Sequence, residues 1–302
     1  MERMTLNGIY KLKYFDYDTF HIENVMCDNF FPNDWIDANV PEDVHPTLRR
    51  YGYLSGHYYD KDLDQERWID EKDWVYFRSF VADERLYGHA CTLCLEGVDT
   101  LARVWLNGTL LGTCQNMFRE YTFPVGDALL FGQENRLVIQ VLSPLGHTAS
   151  TSKKGIYPED DATRMLLRKS QMNWGWDFCG HCLTVGLWKS IYLKTCDEAA
   201  LSDARLTTET LDAKEAKLHL SCTVQNGSAE DEVEIKLSAK GVPVCIHRLT
   251  ADEARDFSFT LKEPRPWWPR PYGDPFLYDV CIQLLHGGAT VDKKEFHFGL
   301  RI

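Results

Sequence analysis

The residues most capable of chemistry in this sequence are crowded into one stretch, Arg168 to Trp188. It carries Trp174, Trp176 and Trp188, the carboxylate of Asp177, the cations Arg168 and Lys169, the amide of Gln171, and the run Cys179-Gly180-His181-Cys182. Tryptophan beside Asp and Gln suits the binding of a sugar. The indole covers the apolar C–H face of the ring, while the carboxylate and amide bond its hydroxyls. The candidate contacts are Trp176, Asp177, Trp174, Gln171, Lys169 and Arg168. Two other readings start from the same residues: a redox dithiol at Cys179 and Cys182, and an aromatic core without a ligand.

The dithiol reading needs the first cysteine at a helix N-terminus, where the dipole lowers its pKa. Here Leu183-Thr184-Val185-Gly186-Leu187-Trp188 follows, which reads as turn and strand. Acid–base hydrolysis of a glycoside needs two carboxyls about 5–10 Å apart. Only Asp177 sits among the aromatics, and Glu159, Asp160 and Asp161 read as a solvated acidic loop. The stretch therefore reads as a binding wall without a catalytic pair. A second Cys-x-x-Cys, Cys91 and Cys94, falls in a strand. Residues three apart there point to opposite faces and cannot chelate one metal. No metal ligands and no cofactor are expected.

The elements around this stretch are short strands. Gly8–Phe15 opens the chain, 35–48 reads as extended loop with one helical turn, and Leu63–Trp68 as a short helix. Strands follow at Trp74–Phe80, Cys91–Leu95, Leu101–Leu106, Tyr121–Val125, Asn135–Val141 and Leu187–Leu193. Asn107-Gly108 between two apolar runs signals a hairpin, which outweighs reading Asn107-Gly108-Thr109 as a glycosylation acceptor. Residues 143–167 are polar and irregular, and lead directly into the Trp-Asp stretch, as a loop bordering a binding surface does. After a linker at Thr195–Leu201, strands recur at Ala204–Thr208, Lys217–Val224, Val233–Leu237, Phe257–Leu261, Leu277–Leu284 and Lys294–Phe298. The expectation is an all-β chain, a jelly-roll sandwich over 1–196 followed by an immunoglobulin-like sandwich over 197–302. Trp35, Trp68, Trp74, Trp105 and Trp188 belong to its core. Trp267-Trp268-Pro269 lies in a Pro-rich connection suited to packing against a neighbouring domain.

Composition narrows the partners. The 302 residues are 44% hydrophobic with a formal net charge of −12 and no basic run. Nucleic acid and anionic membrane both require a cationic footprint, so neither is expected. No apolar run reaches the ~18–20 residues of a membrane span. Met1-Glu2-Arg3-Met4-Thr5-Leu6 lacks the design of a signal peptide, which makes a cytoplasmic location the expectation. Most of the ten cysteines then read as reduced, buried small hydrophobes.

These residues together resemble glycoside hydrolase family 2, and within it the β-mannosidases. Arg168-Lys169-x-Gln171 followed by Gly175-Trp176-Asp177 matches the β-mannosidase signature, and Gly186-Leu187-Trp188-Lys189 its continuation. Gly97-Val98-Asp99-Thr100-Leu101-Ala102 with Val104-Trp105-Leu106-Asn107-Gly108 is similar to the motif of the family's galactose-binding-like domain. Val40-Pro41 with Val44-His45, and Asp73-Trp74-Val75-Tyr76, are similar to its early segments. Trp267-Trp268-Pro269, Gly273, Pro275, Leu277-Tyr278 and Phe298-Gly299-Leu300-Arg301-Ile302 resemble its immunoglobulin-like domain. The resemblance covers essentially the whole chain. It implies a non-catalytic N-terminal part of a retaining β-mannosidase, with a catalytic (β/α) barrel expected after residue 302 as its partner. It further implies that Trp176 and Asp177 reach the pocket for a terminal β-mannoside, and that this part alone is inactive. Phe178-Cys179-Gly180 departs from the family's Trp-Gly-Pro, losing an indole and a rigid proline. The alternatives are a free-standing carbohydrate-binding module and a Cys-Gly-His-Cys thiol–disulfide protein.

Overall fold

The computed structural model describes residues 2–27, 29–54, 63, 65–152, 154–155, 162–178, 180–196 and 199–301. The acidic run Glu159, Asp160, Asp161 and the first dithiol cysteine, Cys179, lie outside these residues. The chain divides into two compact units, Glu2–Thr195 and Cys196–Ile302.

In the first unit, a six-stranded antiparallel sheet runs in the order Ile36–Val40, Gly8–Asp16, Lys72–Val81, Glu134–Val141, Ala102–Leu106, Thr109–Cys114. A four-stranded sheet has the order Arg3–Thr5, Ile191–Thr195, Cys91–Leu95, Tyr121–Pro124. One apolar cluster joins them. Tyr10, Leu12, Trp74, Tyr76, Val104, Leu137 and Ile139 come from the larger sheet, and Leu93, Leu95, Phe123, Ile191 and Leu193 from the smaller. Because side chains alternate along a strand, the intervening residues Val75, Phe77, Val138 and Trp105 face the other side. There Phe20, Val25 and Trp35 cover them. The strand Lys72–Val81 is thus buried on both faces along most of its length.

The hairpin at Asn107-Gly108 forms as expected. Both residues take positive φ, 50° and 81°, and Leu106 pairs with Thr109 across the turn. The stretch 35–48 is more regular than its two prolines suggest. It holds the strands Ile36–Val40 and Glu42–Asp43 and a helix, Val44–Arg50, whose N-terminus is capped by Asp43 accepting from the His45 amide (2.7 Å). The expected strand Leu187–Leu193 is split into Gly186–Leu187 and Ile191–Thr195. Trp188 falls in the break and is 37% exposed, not a core residue. Its indole instead lies over Gly97, where an added Cβ would meet Trp188 Nε1 at 2.7 Å.

The second unit packs the sheet Ala200–Leu211, Glu215–Gln225, Phe257–Lys262 against the sheet Val242–Thr250, Asp231–Ala239, Tyr278–His286, Ala289–Phe298. Leu218, Leu220 and Cys222 on one sheet meet Val233, Ile235, Leu237, Val280, Ile282 and Leu284 on the other. The strict alternation of these residues makes the two inner faces apolar. The strand Val242–Thr250 is an addition to the sequence expectation. Most of its residues are exposed, so no buried alternation marks it. The chain is all-β, a galactose-binding-like jelly roll followed by an immunoglobulin-like sandwich. Among the described residues no helix is long and apolar enough to cross a membrane.

Candidate functional site

Within the first unit, the Arg168–Val185 segment starts beside Asn116 and runs into the strand Gly186–Leu187. At its start the Met117 amide donates to Arg168 O (3.1 Å). At its end the Val44 amide donates to Val185 O (2.9 Å). Gly186–Leu187 then pairs with Glu42–Asp43 on one side and Val98–Asp99 on the other. Gly186 is required there. Its φ is 147°, and a Cβ would sit 2.8 Å from Tyr76 Oη and 3.0 Å from Asp43 Cα.

Two cross-links close the loop below its tip. The Cys182 amide donates to Asn173 O (2.9 Å), and Asn173 Nδ2 donates to Thr184 Oγ1 (2.7 Å). Residues 171–174 form a 3₁₀ turn, and Gly175 ends it at φ 101°. What remains is a short projection, Trp176-Asp177-Phe178. Trp176 is 56% exposed, Phe178 75%, and Asp177 is exposed as well. Arg168 is also exposed, and Gln171 spends its amide nitrogen on Arg164 O (2.9 Å) and Lys169 O (3.2 Å).

Lys169 and Trp174 do not share that outward direction. Lys169 is 3% exposed. Its ammonium donates to Asp99 Oδ1 (2.6 Å) and to Thr184 O, and Thr184 Oγ1 donates to Asp99 Oδ2 (2.6 Å). Burial pulls the Lys169 pKa down, and the Asp99 carboxylate only partly restores it. Trp174 packs on Leu101, Leu142 and Leu167, and its Nε1 is buried with no partner among the described residues. Its ring meets His181 edge-on, with centroids 6.1 Å apart. His181 Nε2 in turn donates to the buried Asp70 Oδ2 (2.6 Å). Sequence periodicity could not separate Trp174 from Trp176, because a loop has no period to say which way a side chain faces.

A second set of polar groups lies at the foot of the loop, and nothing in the sequence signals that these residues meet. His45, 5% exposed, donates from Nδ1 to Asp43 Oδ1 (2.9 Å), and its Nε2 lies 3.8 Å from Cys182 Sγ. Burial opposes its charge, but the bonds to Asp43 and Cys182 outweigh burial and raise its pKa to about 9. Burial likewise pushes the Asp43 carboxyl up, and the His45 bonds with the Lys169 charge more than reverse this. Glu66, 6% exposed, accepts at both oxygens from Arg49 Nη2 (2.9 Å each). The residues after Cys182 form no helix, so the setting that activates a redox dithiol is missing. Cys91 and Cys94 share one strand, with Cys91 Sγ donating to Leu86 O (3.7 Å) and His89 O (3.5 Å).

The architecture can perform recognition at its tip, where an indole face and an exposed carboxylate stand on a hydrogen-bonded base. The glycosyl hydrolase 2 galactose-binding domain-like model matches residues 20–189, and the glycosyl hydrolases family 2 model matches residues 199–301. The chain is 31% identical over 278 residues to beta-mannosidase B of Aspergillus terreus, covering 87% of this chain and 32% of that protein. It is 30% identical to beta-mannosidase B of Thermothelomyces thermophilus over 274 residues, 87% of this chain and 32% of that one. Its fold is similar to the crystal structure of beta-D-mannosidase from Dictyoglomus thermophilum, with TM-score 0.82 and 30% identity over all of this chain and 36% of the other. The Bifidobacterium dentium beta-glucuronidase has the same fold at 22% identity and TM-score 0.68, with 99% of this chain and 48% of that one covered. The chain thus spans about a third of the length of the mannosidases it matches. With the two family models matched in order over residues 20–189 and 199–301, the chain belongs to glycoside hydrolase family 2.

Proposed function

We propose that this chain is the non-catalytic N-terminal part of a retaining β-mannosidase that removes terminal β-D-mannose residues. The observation that carries the reading is the Trp176-Asp177 projection, an exposed indole and carboxylate held on a cross-linked base. In this reading the tip forms one wall of the glycone pocket. Asp177 accepts hydrogen bonds from sugar hydroxyls, Trp176 covers an apolar sugar face, and Arg168 and Gln171 border the entrance. Lys169 and Trp174 act from beneath, holding the tip in place. The acid/base and nucleophilic carboxylates belong to a (β/α) barrel that follows in the intact protein. Support comes from the mannosidase relatives and from the exposure of Trp176 and Asp177 together on one projection.

The reading divides cleanly from a self-sufficient sugar-binding module. An exposed tip offers one wall, and one wall does not desolvate a monosaccharide. The purified chain is therefore expected to leave an aryl β-mannoside intact and to show no saturable heat with mannose in titration calorimetry. Hydrolysis would place the catalytic carboxylates in this chain, and saturable mannose binding would make it a binding module.

A further inference from the structure

We propose that His45, Glu66 and Cys182 form a zinc-binding centre at the foot of the Trp176-Asp177 loop. The three donors come from separate elements: the helix Val44–Arg50, the residue preceding the 3₁₀ turn Arg67–Glu71, and the loop itself. Yet one ligand atom of each lies within 4.8 Å of the other two. A tetrahedral zinc with Zn–S about 2.3 Å and Zn–N or Zn–O about 2.0–2.1 Å sets its ligand atoms roughly 3.3–3.6 Å apart. The 3.8 Å between Cys182 Sγ and His45 Nε2 is already close to that spacing.

The groups behind the ligands fit the same purpose. A metal-binding imidazole characteristically donates its other N–H to a carboxylate, which fixes the ring and the tautomer. His45 does so through Nδ1 to Asp43, leaving Nε2 turned toward Cys182. Glu66 is held by Arg49 at both oxygens, and a carboxylate keeps lone pairs for a metal beside such bonds. A thiol, an imidazole and a carboxylate make a borderline-soft set that favours zinc over magnesium or calcium. The same Asp43–His45–Cys182 line could be read as an activated thiol. The Glu66 carboxylate argues for the metal reading, because it brings a third donor atom within 4.8 Å of the other two, which an Asp–His–Cys thiol does not need.

Binding displaces two protons to solvent, one from the Cys182 S–H and one from Nε2 of the His45 imidazolium, and the freed sulfur and nitrogen lone pairs enter the metal. A water completes the fourth position. The consequence is structural. Cys182 is five positions beyond Asp177, so the ion ties the loop to the Val44–Arg50 helix and stiffens the projection.

The test uses the full chain, reduced with a phosphine, stripped with chelator and titrated anaerobically with Co²⁺. The expected result is a thiolate-to-cobalt charge-transfer band with intense tetrahedral visible bands, saturating at one equivalent and bleached by Zn²⁺. Cys182→Ser should abolish the charge-transfer band. Asp43→Asn should weaken binding about 10–100-fold, as loss of an orienting partner does. Circular dichroism verifies that each variant is folded. If Cys182→Ser unfolds, Glu66→Gln, which preserves the acceptor for Arg49, serves in its place and should weaken cobalt binding at least tenfold. Absence of the band in the parent chain overturns the proposal. So does its persistence in folded Cys182→Ser, or unchanged affinity in Glu66→Gln.

Discussion

Replacing Lys169 by methionine keeps most of its volume but leaves Asp99, 3% exposed, without its cation. Breaking one side of a buried pair costs roughly 3–5 kcal/mol. Urea unfolding should show that loss as a lower midpoint with an unchanged slope, and a change under about 1 kcal/mol would contradict the role given to Lys169. The two loop tryptophans should separate in the same assay. Trp174→Ala opens a cavity against Leu101, Leu142 and Leu167 and should cost roughly 2–4 kcal/mol. Trp176→Ala removes an exposed ring and should stay within about 0.5 kcal/mol. Equal losses for the two would contradict the inward and outward assignment. The sequence marks all of these residues by type, but not by direction. Lys169 looks like a surface cation until Asp99, seventy positions away in the chain, is placed beside it.

At the scale of elements, the strands with one apolar face were legible, because alternation in Lys217–Val224 or Val233–Leu237 follows directly from the period of two. The edge strand Val242–Thr250 was not, since its exposed side chains carry no burial signal. The helix Val44–Arg50 was legible only as a single turn within 35–48, because Pro46 reads as a breaker although it is tolerated in a first helical turn where the missing N–H has no partner to lose. The His45, Glu66 and Cys182 cluster was illegible for another reason: 137 positions separate His45 from Cys182, and only the folded first unit joins them. Turns carry their own energetics. In the second unit Asp231 Oδ2 accepts from the Ser228 amide (2.6 Å) and Oδ1 from His286 Nδ1 (2.8 Å). The Ser228 bond first, then His286 against the opposing effect of burial, hold the Asp231 carboxyl below its usual 3.8. A depressed carboxyl pKa contributes stability that is complete above the unfolded value and lost as pH falls through the folded one. Asp231→Asn should therefore lower stability by about 1 kcal/mol near neutral pH and lose that deficit below about pH 4. Chemical unfolding of both proteins across this range measures it. A deficit that persists in acid would contradict the assignment.

At the scale of the molecule, the chain covers about a third of the length of its mannosidase relatives. Its net charge of −12 suits a neutral substrate, to which the surrounding field is nearly indifferent. Each sandwich has its own core, and the short projection of the first carries Asp177, the residue to which the proposed function assigns the sugar contact. The decisive measurement is kcat/KM for an aryl β-mannoside in the intact enzyme, with and without Asp177→Ala. A charged hydrogen bond to substrate contributes about 1.5–3 kcal/mol, so kcat/KM should fall roughly 10–150-fold with the Tm unchanged. An Asp177→Ala enzyme with unchanged kcat/KM would contradict the proposed function and remove the projection from the glycone pocket.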